Sequence, residues 1–117
     1  MGFKTNRAVL TIANGQSTAS ADIYVDSKAE DGQIYVGATI LPTPSTIVSL
    51  SVEDGGKNII QPINVEWYKR DGKGLRESAI PIDIPGGRNV KVEAKALANV
   101  GADTDIEVVF FVESNNY

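Results

Sequence analysis

The sequence holds neither cysteine nor histidine. That removes disulfide staples, thiol nucleophiles, imidazole acid–base chemistry and the usual zinc and copper ligands, so packing and backbone hydrogen bonds must supply the stability. A lack of cysteine assigns no compartment, because a well-packed domain of this length holds together without disulfides. Long apolar runs are missing too: no stretch approaches the roughly 20 apolar residues of a spanning helix, so no membrane partner is expected. Near Met1 no basic start is joined to an apolar run of signal-peptide length. Positive charge is scarce, with 11 Lys and Arg against 15 Asp and Glu and a net charge of −4. Phosphate-backbone binding needs a concentrated basic surface, so nucleic acid is not an expected partner.

What the chain does have is valine and isoleucine well in excess of leucine, and β-branched side chains favour the pleated surface of a sheet. Eleven glycines and five prolines fall mostly in clusters between apolar runs. Asn14-Gly15, Pro42-Thr43-Pro44, Asp54-Gly55-Gly56, Asp71-Gly72-Lys73-Gly74, Pro85-Gly86-Gly87 and Gly101-Ala102-Asp103 are turn chemistry. A chain of 117 residues without an internal boundary predicts one domain, 1–117.

Period-two alternation supplies the strands. From Val90 to Ala96, Val90, Val92, Ala94 and Ala96 point one way and Lys91, Glu93 and Lys95 the other. That strict alternation outweighs the helix propensity of Ala, Lys and Glu. Ala21, Ile23 and Val25 share a face, as do Ile34, Val36, Ala38 and Ile40, and the turn at Glu30-Asp31-Gly32 predicts a hairpin of these two runs. Further strands are expected at about Ala8–Ile12, Ile47–Val52, Val65–Lys69, Ile80–Ile84 and Ile106–Glu113. A short segment at Ile59-Ile60 is confined by Pro62 to a sheet edge. Seven to eight antiparallel strands predict an all-β sandwich, jelly-roll or immunoglobulin-like, because two packed sheets hide the apolar faces.

No motif commits the chain to catalysis. Neither G-x-S-x-G nor S-x-x-K occurs, and Glu66, Asp83, Glu93 and Glu107 alternate with apolar neighbours as residues of a solvated sheet face do. The acidic glycine turns lack the alternating oxygen ligands of a helix-flanked calcium loop, which leaves a weak calcium site at the Asp-Gly loops as an open alternative to hairpin turns. A non-enzymatic protein without a cofactor or catalytic residue is expected.

Candidate contact residues are of three kinds. Val109 and Phe111 load the second face of a terminal strand whose first face already carries Ile106, Val108, Phe110 and Val112, so a covering loop or a protein partner is expected there. Strand parity puts Trp67 with Val65 in the core and turns Tyr68 outward, which makes Tyr68, Tyr24 and Tyr35 the expected surface aromatics. Lys69 and Arg70, with Lys73 and Arg76, form a local basic loop, either a solvated hairpin tip or a dock for an acidic partner.

Taken together, the start Met1-Gly2-Phe3-Lys4-Thr5-Asn6, the Ala/Gly/Ser/Thr-rich first third, the missing Cys and His and the apolar strand Val108 to Val112 resemble the auxiliary or decoration proteins of tailed-bacteriophage heads. The resemblance spans the chain and rests on style, with no motif to transfer. It implies a β-rich, non-enzymatic virion structural protein made in the host cytoplasm and carried on the capsid surface. It further implies a homo-oligomer, often a trimer, that binds the major capsid protein and stabilises the head. A carbohydrate-binding or immunoglobulin-like adhesion β-sandwich is the alternative. A carbohydrate module is expected to expose a platform of aromatics, whereas the lone tryptophan here is expected to be buried.

Overall fold

The computed structural model describes residues 2–28, 32–42, 44, 46–68 and 79–114. Among them run β1 (Gly2–Ile12), β2 (Thr18–Val25), β3 (Gln33–Leu41), β4 (Val48–Asp54), β5 (Lys57–Asn64), β6 (Ile80–Ile82), β7 (Arg88–Ala96) and β8 (Thr104–Ser114), with a 3-10 turn at Val65–Tyr68. The strands form two four-stranded antiparallel sheets. Sheet I has the order β1-β8-β3-β6 and sheet II the order β2-β7-β4-β5. Among the described strands, β4 and β5 are consecutive within one sheet, and each other consecutive pair lies in opposite sheets. This order is the eight-stranded jelly roll, which decides between the two sandwich topologies that alternation alone leaves open.

The inward faces are those the alternation marks. Val90, Val92, Ala94 and Ala96 of β7 are buried while Lys91, Glu93 and Lys95 are exposed. Across the core, Ile106, Val108, Phe110 and Val112 of β8 are fully buried against them. Each strand's apolar side can leave water only by meeting the other sheet, and that opposition holds the layers together.

The expected hairpin of β2 with β3 does not form. β2 pairs with β7 in sheet II, and β3 pairs with β8 and β6 in sheet I. Alternation specifies which face of a strand turns inward and leaves its neighbour open. Across the sandwich β2 lies against β1, so the two runs enter different sheets and do not pair. The Gly55-Gly56 turn is a hairpin of the expected kind, with Asp54 opposite Lys57 and φ of 62° and 85° at the glycines. β5 extends the Ile59-Ile60 segment into a full edge strand that tolerates Pro62.

The strand expected from Val65 to Lys69 is replaced, over its described residues, by the 3-10 turn; Lys69 lies outside the described residues. Asn64 Oδ1 accepts the Glu66 backbone N–H at 3.0 Å, and this local bond draws the chain out of the β ladder.

The crossovers are tied at both ends. At one end the Ala96 N–H donates to the Ser17 carbonyl (2.7 Å), the Val100 N–H to Gln16 (2.9 Å) and the Gly15 N–H to Val100 (2.9 Å). At the other, Asn6 of β1 accepts the Asp26 backbone N–H (3.0 Å) and donates its amide to the Asp26 carboxylate (3.2 Å), which links sheet I to the end of β2.

Candidate docking face

The two outward faces of the sandwich differ in chemistry. Register rows on sheet II read Asp22–Lys91–Glu53, Ser20–Glu93–Ser51 and Thr18–Lys95–Ser49. That face is polar throughout these rows, with opposite charges side by side. On sheet I the corresponding rows are Val9–Glu107–Thr39, Arg7–Val109–Gly37 and Thr5–Phe111–Tyr35. Apolar side chains run through the middle of it.

A depression of about 200 Å³ on this face is lined by Ala38, Thr39, Glu107, Val109, Phe111 and the buried Gly37. A Cβ placed on Gly37 would sit in ordinary contact, 3.7 Å from the Phe111 ring and 3.5 Å from the Tyr68 carbonyl oxygen. A second hollow, lined by Val9, Thr39, Leu41, Asp105 and Glu107, adjoins it through Thr39 and Glu107. Phe3, Val9 and Leu41 are exposed around them. An ion pair lies on this surface, Arg7 to Glu107 at 2.8 Å, and both side chains are solvated enough that it contributes at most about 1 kcal/mol.

The expected contact residues do not converge. Val109 and Phe111 lie half-buried on this face, as their parity requires. Tyr24 is exposed on the opposite side of the molecule, on the outer face of sheet II. Tyr35 is on the sheet I face, not a surface aromatic but buried, between Phe111 on one neighbouring strand and Pro81 on the other. Lys69 and Arg70, with Lys73 and Arg76, lie outside the described residues.

Tyr68 and Trp67 exchange the places expected of them. Tyr68 is completely buried, and its hydroxyl donates to the Leu50 carbonyl at 2.8 Å; burial pushes its phenol well above the ordinary value of 10.0. Trp67 is 73% exposed. The reason is the turn: at three residues per turn Val65 and Tyr68 share a side and face inward, which leaves Trp67 in water. The missed signal was Asn64, a residue whose side chain competes with the ladder.

Glu66, Asp83, Glu93 and Glu107 do not converge on one site. Glu93 faces out from sheet II, Glu107 from sheet I, and Glu66 and Asp83 are exposed elsewhere. Of the acidic turns, Asp54 lies 3.5 Å from Arg88, while Glu30, Asp31 and Asp71 are outside the described residues. Among the described residues no group of three or more carboxylates gathers as metal ligands do, and no helix is long and apolar enough to cross a membrane.

No family model matches the sequence, and no curated protein matches it. Among solved structures, a chain of the acidic stable capsid structure of Helicobacter pylori bacteriophage KHP30 is similar at 13% identity and a TM-score of 0.47. The likeness covers 97% of this chain and 89% of that one, and it transfers neither a role nor a residue.

Proposed function

We propose that this protein is a non-enzymatic structural component of a larger assembly, attached through the outer face of sheet I. The assembly is a bacteriophage head, and the protein decorates it by binding the major capsid protein. The observation that carries attachment is the contrast between the two outward faces: a polar, charge-alternating sheet II, and a sheet I whose centre is Val109, Gly37 and Phe111 with exposed Val9 beside them. A sheet face with an apolar centre and hollows fits the side chains of another protein. The phage head as partner rests on the resemblance carried by composition and by the terminal strand. A jelly roll is compatible with it, at the level of fold analogy alone.

The test is co-sedimentation with phage heads that lack the protein. The unmodified chain is expected to bind them, Val109→Asp to lose binding while its β spectrum persists, and Lys95→Asp on sheet II to bind normally. Heads that ignore the unmodified chain would remove the phage partner from this reading. Normal binding by Val109→Asp would move attachment off sheet I.

One observation favours the carbohydrate-binding alternative. Trp67 is exposed, so the burial expected to weigh against a sugar-stacking role is absent. A glycan that binds the chain, quenches its tryptophan fluorescence and fails to bind Trp67→Ala would establish that reading in place of attachment.

A further inference from the structure

Among the described residues four strands edge the two sheets: β1 and β6 in sheet I, β2 and β5 in sheet II. Three carry features that discourage a new strand. β6 has three residues, one of them Pro81; β5 has Pro62 and register shifts against β4; and β1 carries Lys4 and Arg7. β2, Thr-Ala-Ser-Ala-Asp-Ile-Tyr-Val, has neither proline nor basic residue, and its register with β7 is unbroken from Thr18 to Val25.

The Ala96 N–H donates to Ser17, so Ser17, Ala19, Ala21 and Ile23 turn their backbone groups toward β7. Thr18, Ser20, Asp22 and Tyr24 therefore turn theirs to the open side. Among the described residues no strand pairs with that side.

We propose that β2 is a self-pairing edge, through which two copies of this chain join sheet II to sheet II as antiparallel neighbours about a two-fold axis at Ala21. The residues select that register. Centred on Ala21, Ser20 faces Asp22 of the second copy, where a hydroxyl meets a carboxylate. Thr18 faces Tyr24 of the second copy, and the small Ala19 faces Ile23. Each outward-turned residue meets another outward-turned one, so the ladder hydrogen bonds form. Centring on Asp22 would set the only charge of β2 against itself, and like charges directly opposite are destabilising. Centring on Ser20 would shorten the pairing to Thr18–Asp22. The apolar face of sheet I takes no part, so this pairing and attachment to an assembly stand or fall separately.

The experiment is sedimentation equilibrium of the full chain over a concentration series, with amide hydrogen exchange on the same samples. The unmodified chain is expected to dimerise reversibly, with exchange at Ser20, Asp22 and Tyr24 slowing as concentration rises. Ser20→Asp, which sets carboxylates opposite each other twice per interface, should raise the dimer dissociation constant tenfold or more. Ser20→Lys, which sets an ammonium opposite Asp22, should leave it unchanged or lower it. Both substitutions are at an exposed position, and thermal melts verify that each variant is folded. A chain that stays monomeric at millimolar concentration overturns the proposal. So does a dimer indifferent to the sign of charge at position 20, or one that leaves the three amides unprotected.

Discussion

At the scale of single residues, Tyr68 shows how a side chain is placed by its turn. The pairing of β4 with β5 shifts register between Leu50 and Val52, and at that irregularity the Leu50 carbonyl takes the Tyr68 hydroxyl. Tyr68→Phe removes the donor and is expected to cost about 1–2 kcal/mol in a urea melt. The same burial gives a pH signature. The phenol is harder to ionise folded than unfolded, so its stabilisation is complete below pH 10 and is lost as pH rises beyond that, where the unfolded chain releases the proton first. The unmodified chain should therefore lose stability above pH 10 more steeply than Tyr68→Phe. Glycines offer a second comparison. Gly86, at φ +75°, packs so closely on Asp26 that an added Cβ would strike its carbonyl oxygen, whereas Gly56, at φ +85°, faces open space. Gly56→Ala should cost about 1–2 kcal/mol for the left-handed backbone alone, and Gly86→Ala clearly more, read as the difference between their melts.

At the scale of elements, β7 is the strand whose sequence and structure agree from end to end. Val92 is fully buried at the centre of sheet II, between Ala21 and Val52. Val92→Asp buries an unpaired carboxylate and is expected to leave no cooperative unfolding transition at 25 °C. Lys91, one residue away, faces water between Asp22 and Glu53. Lys91→Asp sets three acids in a row yet remains hydrated, so its cost should stay under about 1 kcal/mol and shrink with added salt. The Val65–Tyr68 segment marks the opposite case. Its apolar and aromatic residues suit a strand, and one side-chain bond from Asn64 is enough to set a different period.

At the scale of the whole molecule, the layer order predicts where the fold opens first. β8 and β7 each lie between two long neighbours and bury an unbroken alternate row of side chains, whereas β6 is a three-residue edge. Amide exchange in dilute solution should be slowest in β7 and β8 and fastest in β6, because exchange follows the local cost of opening. Comparable protection throughout would mean that the molecule opens only as one unit. The same order separates the two outward faces: sheet I carries an apolar centre and sheet II a polar one, so a single β-sandwich offers two surfaces of different chemistry.

The sequence by itself determined the all-β class, the inward faces of β2, β3, β7 and β8, and the glycine turn between β4 and β5. Each of these depends on neighbours a few residues apart: a period of two, or a left-handed backbone. It also marked Val109 and Phe111 as the second face of a strand already buried on its first. Only the tertiary structure decided which strands pair, that β2 lies against β1 across the sandwich, and that Gly37 lies beside Val109 and Phe111 in the lining of one hollow. Those outcomes join residues distant along the chain, and alternation is identical for every pairing that buries the same face. Tyr35, Trp67 and Tyr68 were placed by cross-strand neighbours and by a local change of period, which parity along one strand does not carry.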